Sequence, residues 1–345
     1  MNDLIKLTAR EAVGLLKEGQ VSPLELIDAA AARIAETDGA INALPILCLD
    51  RGRERARKLM ASSPADPPPG YLYGLPIAVK DLREVAGVRC TKGSPLFADY
   101  VPTWSDYMVE TLERMGAVVI AKSNTPEFGA GGNTYNEVFG TTRNPWDTRK
   151  TPGGSSGGAA AALASGQVWL ATGSDLFGSI RIPSSFCSIV GLRPSPGRVA
   201  CGPDPAPFNT LVVEGPMGRT VGDVALMLDA QAGEHMGDPR SIPKPAVPFQ
   251  NAVDQPRKPE RIAFSPNLGL GPADREVKEI CTRAAASFTE MGVVVEEGSP
   301  DLHDAIEICN VVRAALMAVR SGPLLESHGD KLKKDLGVLI GKYVK

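Results

Sequence analysis

Apolar positions recur along this chain first at helical spacing and then in alternating helical and strand-like runs. Near the start, Thr8 and Glu11 form a T-x-x-E capping box, and Gly19 closes the helix that it opens. Ser22, Pro23 and Glu25 repeat the signal as cap, first-turn proline and third-position glutamate. Behind them Leu24, Ile27, Ala31 and Ile34 keep the period of one helical face. The run ALPILCL predicts a short strand, and DRGRERARKLM a charged, solvent-facing helix. SSPADPPPG, residues 62–70, is the clearest linker. Beyond it, GLPIAVKD predicts a short apolar strand ending in a lysine. SDYMVETLERMGAVVIAKSN predicts a helix, a turn at Gly116 and the strand AVVIAK. Residues 151–200 are rich in glycine, serine and alanine, and GGAAAALASG reads as a small-residue helix packed closely against a neighbour. RTVGDVALMLDAQAG is an amphipathic helix capped by Thr220. RIAFSP, DREVKEICTRAAASFTEMG and VVVEEG follow as strand, helix and strand. This alternation argues an α/β protein whose sheet is at least partly parallel.

Composition narrows the function. The 345 residues suffice for one large domain or two ordinary ones, and 43% hydrophobic with 22% charged residues is ordinary for a chain that buries a core. A net charge of −3 gives no electrostatic footprint for nucleic acid or an anionic membrane. No apolar run approaches the roughly 20 residues that span a bilayer, and MNDLIKLTAREAV has no apolar signal-peptide centre. The six cysteines form no C-x-x-C pair, so neither a zinc site nor a disulfide framework is expected, and a reduced cytoplasmic setting follows.

Three stretches can carry chemistry. Lys80 ends the run GLPIAVK. A lysine there ordinarily points to solvent. If buried, its pKa falls and it becomes a proton acceptor. TPGGSSGGAAA, residues 151–161, lacks the lysine of a P-loop. It satisfies G-x-S-x-G twice, at Ser155 and at Ser156, as a nucleophile elbow does. An elbow needs a preceding strand, which NPWDTRKTP does not make, and a partner histidine. The three histidines, His235, His303 and His328, sit in segments with no catalytic signature. The simpler reading makes Ser156 a helix cap. In GSDLFGSIR, residues 173–181, successive N–H groups of a tight loop can hold a developing negative oxygen, and Asp175 and Arg181 can pair across it.

Together these stretches point to a family. A strand-end lysine in GLPIAVKD, GGSSGG 75 residues on, and a serine in GSDxxGSIRIP 24 residues later resemble the amidase signature family. AKSNTPEFG, GTTRNPWD, VGLRPSPGRV and EGPMGRTVGDVALML agree, and the likeness runs from the first helix to about residue 310. The resemblance implies a mixed β-sheet core surrounded by α-helices. Residues 1–61 would form an N-terminal helical segment packed on a 62–345 core, a single domain overall with its C-terminal part missing. It implies hydrolysis of a carboxylic amide, with no metal or cofactor, through a Ser–Ser–Lys triad and an acyl-enzyme. Ser179 is then the nucleophile, Ser155 the bridging serine after a cis peptide bond, and Lys80 the base. The N–H groups of Leu176, Phe177, Gly178 and Ser179 would form the oxyanion hole, and Gly129, Ala130 and Gly131 would line the acyl pocket. The implied partner is a small amide, not nucleic acid or membrane, and the reading leaves room for a homodimer. Two departures stand out. Phe177 replaces a glycine of the family pattern, and the expectation is that it weakens turnover by straining the loop or filling the acyl space. Its ring pointing away would leave activity intact. The tail KKDLGVLIGKYVK does not match the family's continuation. The alternatives are an inactive, ligand-binding homologue and the amidase subunit of a glutamine-dependent tRNA amidotransferase.

Overall fold

Three capping boxes set the helix starts. Thr8, Ser22 and Thr220 each accept the N–H of the third helical residue, and Glu11, Glu25 and Asp223 reach back to the cap N–H. Each such cap is worth about 1 kcal/mol. They open α1 (Ala9–Lys17), α2 (Pro23–Ile41) and a later helix, Val221–Gln231. The structure is a computed structural model that describes residues 3–62, 64–334, 337, 338 and 341. Most of the 333–345 tail, with its atypical sequence, lies outside the described residues.

The central sheet has six strands in the order β1-β3-β2-β6-β8-β7. They are β1 (Ile46–Leu47), β2 (Pro76–Lys80), β3 (Val118–Ser123), β6 (Leu170–Asp175), β7 (Val190–Gly191) and β8 (Val213–Gly218). A small hairpin, β4 (Tyr135–Asn136) with β5 (Gly140–Thr141), stands apart. Strands β3, β2 and β6 run parallel, and β1, β8 and β7 pair antiparallel, so the sheet is mixed. Every residue of β2, β3, β6 and β8 is buried, as expected where helices cover both faces of a parallel sheet.

The covering helices include α3 (Leu49–Ala61) against β3, α4 (Tyr107–Arg114) against α7 and α5 (Gly157–Ala164) against β2, β3, β6 and β8, where α7 is the capped helix Val221–Gln231. Alpha-helix α1 packs on α7 and α2 on β2, and one hydrophobic cluster runs from Ile5 to Ala230. The small-residue character of α5 has a steric cause. A Cβ on Gly158 would stand 2.3 Å from the Asn124 backbone nitrogen, so this helix lies on the 124 segment with no room for a side chain.

After α6 (Arg181–Phe186) and α8 (Gln250–Asp254), the predicted strand–helix–strand appears as β9 (Arg261–Phe264), α9 (Arg275–Ala286) and β10 (Val294–Glu297). Its two strands pair in parallel as a separate sheet rather than joining the central one. Alpha-helix α10 (Ala305–His328) follows and reaches over the strand ends that carry the site. By length and composition alone, Ala305–Lys331 is long and apolar enough to cross a bilayer, which the sequence pattern did not single out. It carries Arg313 and Arg320, both turned to cavities of the protein.

Candidate active site

Lys80 is the last residue of β2 and is wholly buried. Its backbone N–H donates to Thr172 Oγ1 on β6 at 3.0 Å. Its side-chain nitrogen meets three hydroxyls: Ser155 Oγ at 2.7 Å, Ser156 Oγ at 2.8 Å and Ser174 Oγ at 3.0 Å. Burial pushes the Lys80 pKa down to about 7, against an opposing pull from Glu214. Among the described residues no carboxylate hydrogen-bonds Nζ, so a cation there has hydroxyls rather than an anion for company.

Ser155 and Ser156 lie in the turn before α5, and the Gly154–Ser155 peptide bond is cis. Ser156 is the residue before the helix, but its hydroxyl caps no N–H of it. No strand leads directly into this turn, and among the described residues no histidine bonds to either serine. His235 stacks on Tyr107, His303 contacts Asp301 and Asp304, and His328 contacts Ser327.

Ser179 sits in the loop between β6 and α6, and its carbonyl accepts the Ser156 N–H at 3.1 Å, which ties this loop to the serine turn. The loop is wound around Asp175. One carboxylate oxygen accepts the Gly178 N–H at 2.8 Å, and the other accepts the Ile180 N–H at 3.2 Å. Arg181 grips both oxygens at 3.0 Å, and Arg193 adds a contact at 3.1 Å. Burial raises the Asp175 pKa, but the bonds from Arg181, Gly178 and Ile180 outweigh it and hold the carboxyl at about 2.

The N–H groups of Leu176, Phe177 and Ser179 have no hydrogen-bond partner among the described residues, whereas that of Gly178 is committed to Asp175. Phe177 is not in the left-handed region. That conformation falls on Gly178, with φ +99°, where a side chain would also meet Ile182. The Phe177 ring is 46% exposed and lines a cavity of about 240 Å³ together with Ser179. Gly129, Ala130 and Gly131 form another wall of the same cavity, and Arg313 and Met317 of α10 reach into it. Among the described residues, no cluster of three or more His, Cys, Asp or Glu side chains is arranged to hold a metal ion.

Sequence reasoning missed Thr172 and Ser174. Their signal was present, because residues i and i+2 of a strand share a face, and both stand just ahead of the Asp175 loop. It also missed the buried Glu214, paired with Arg83 through Arg83 Nε at 2.9 Å. That contact spans 131 residues, and no local pattern encodes it.

The amidase family model matches residues 25–335, and the chain belongs to the amidase family, with the amidase signature fold. It is 38% identical over 294 residues to an acylamidase of Rhodococcus erythropolis, covering 85% of this chain and 62% of that protein. It is 39% identical over 297 residues to a glutamyl-tRNA(Gln) amidotransferase subunit of Moorella thermoacetica, covering 86% of this chain and 61% of that protein. The chain thus spans about three-fifths of the length of these relatives. Among solved structures, a bacterial aryl acylamidase of the amidase signature family superposes with TM-score 0.89 at 29% identity, covering 97% of this chain and 72% of that one. A 6-aminohexanoate cyclic dimer hydrolase complexed with substrate gives 0.85 at 28%, covering 99% and 72%.

Proposed function

We propose that this chain hydrolyses a carboxylic amide to an acid plus ammonia or an amine, with Ser179, Ser155 and Lys80 as its triad. The observation that carries this reading is Lys80, buried with a pKa near 7 and 2.7 Å from Ser155 Oγ. A neutral lysine has two N–H donors and one lone pair. Three hydroxyls lie within hydrogen-bond distance of Nζ, and in the neutral form this reading has Nζ donate to Ser156 and Ser174 and accept from Ser155.

In this reading Ser179 Oγ attacks the amide carbon while its proton passes to Ser155 Oγ, whose own proton passes to Lys80 Nζ. The carbonyl oxygen becomes an oxyanion, received by the free N–H groups of Leu176, Phe177 and Ser179. On collapse the C–N bond breaks, and the relay returns a proton to the leaving nitrogen. Water then attacks the acyl-enzyme with the same relay as base, releasing the acid and restoring Ser179. Gly129, Ala130 and Gly131 flank the acyl group. The six free cysteines favour a reducing, cytoplasmic setting.

A fluorophosphonate tests the nucleophile. Peptide mapping of the folded, treated protein is expected to place the adduct on Ser179, and an adduct on Ser155 or Ser156 would replace this mechanism with the elbow reading. No adduct would point to an inactive homologue. The likeness to the Moorella amidotransferase protein supports a second reading, in which the chain works beside partner subunits. Hydrolysis of small amides by the purified chain alone argues against that dependence.

A further inference from the structure

A second cavity of about 320 Å³ lies beside the first. Between them stand the segment Phe128–Gly132 and one side chain, Met317 of α10. Phe128 faces the second cavity, Gly129 to Gly132 face the first, and Met317 lines both. The glycines contribute no side chains, and Met317 is the side chain that lines both cavities. An unbranched thioether with three rotatable bonds adapts easily to what lies beside it.

The second cavity is lined by Phe97, Trp104, Phe128 and Leu324, with Phe97 and Phe128 in edge-to-face contact at 6.0 Å between ring centres. Its charged residues are already paired. Lys92 bonds Glu84 at 2.9 Å, Arg320 pairs with Asp204, and Arg83 pairs with Glu214. Paired charges leave no net demand for an ionic ligand, and although Lys92 already lies over the Phe97 ring at 5.1 Å, the Trp104, Phe128 and Leu324 side chains in the lining favour an uncharged aromatic one. Leu82, two residues past Lys80, also lines this cavity, so it opens close to the proposed triad.

We propose that this cavity is a binding subsite for an uncharged aromatic ring carried by the substrate a few bonds from its amide, admitted past Met317. The proposal rests on Ser179 being the nucleophile, and it makes arylalkyl amides the preferred substrate class.

The test uses 4-phenylbutyramide, with butyramide as the ringless control. Trp104 is a built-in reporter. A saturable change in tryptophan fluorescence is expected with 4-phenylbutyramide, absent with butyramide and lost in Trp104→Phe. The ratio of kcat/KM for 4-phenylbutyramide to that for butyramide is expected to fall about tenfold in Met317→Phe and to rise in Met317→Ala, as burial of a ring is worth at least a tenfold effect. Butyramide hydrolysis with no saturable fluorescence change and no preference for the phenyl compound overturns the subsite alone. Absence of both a Ser179 adduct and butyramide hydrolysis overturns the triad reading, and the fluorescence titration still decides the subsite.

Discussion

The Asp175 carboxylate accepts the Gly178 N–H at 2.8 Å and so bends the chain immediately before Ser179. This bond consumes one amide of the loop, while those of Leu176, Phe177 and Ser179 have no partner among the described residues. In the proposed mechanism Asp175 is therefore a positioning residue. Asp175→Asn is expected to leave Arg193 and the largely exposed Arg181 without their buried anion and to lower stability, read as a lower Tm. In the protein that still folds, kcat falls more than KM rises, which steady-state kinetics on a short amide would read. An unchanged kcat removes Asp175 from the positioning role.

Under the proposed mechanism the pKa of Lys80 sets the pH profile. As a base it must be neutral, so kcat/KM is expected to rise about tenfold per pH unit below 7 and to level off above it. A profile flat between pH 5 and 8 would mean that another group takes the proton.

The same shift has a stability consequence. Lys80 titrates near 7 when folded and near 10.5 when unfolded, so between those values the unfolded chain binds the extra proton and stability rises with pH. Lys80→Met has no such group. The variant should abolish hydrolysis, and its Tm relative to the parent should be highest near pH 7 and decline as pH approaches 10. Parallel melting curves at several pH values test the sign.

Hydroxyl removal separates the serines. Ser179→Ala is expected to abolish both adduct and turnover, and Ser155→Ala to reduce kcat by about 10²–10⁴, the usual worth of a proton-transfer group. Replacing His235, His303 or His328 by alanine should leave kcat within about twofold, since none of them stands where a general base of that worth is needed. A large loss at any histidine would reopen the histidine-dependent reading.

Phe177→Gly bears on the pocket. Gly178, not Phe177, takes the left-handed turn, so backbone strain at 177 is not what the substitution relieves. It removes a ring from the wall of the 240 Å³ cavity that holds Ser179. The expected change is a lower KM for bulky acyl groups at similar kcat, measured over an acyl-length series. A kcat that rises equally for all acyl sizes would restore the strain explanation.

Local chemistry made much of this legible in advance. The capping boxes at Thr8 and Ser22 and the Gly116 turn are encoded within a few residues, and each appears where its residues stand. The spacing of Lys80, the GGSSGG turn and Ser179 pointed to one site, and the structure brings the lysine and the serine turn together. What could not be read was the supporting cast. Thr172 and Ser174 contact Lys80 only because β2 pairs with β6, and Met317 reaches the cavity from a helix with no marked pattern. The separate β9–β10 sheet was also invisible, because a parallel pair looks the same in sequence whether or not it joins a larger one.

The parallel pairing of β2 with β6 has a consequence for how the site comes into being. Lys80 meets Ser155 across 75 residues and Thr172 across 92, and no short stretch of chain holds the lysine to either of them. Contacts of such high sequence separation form late and at a large loop-closure cost. A half-folded chain therefore has an exposed, fully protonated lysine with ordinary basicity and an inert serine. If Ser179 is the nucleophile, its chemical reactivity is in this sense an assay of completed folding, silent until the last distant strand is in register.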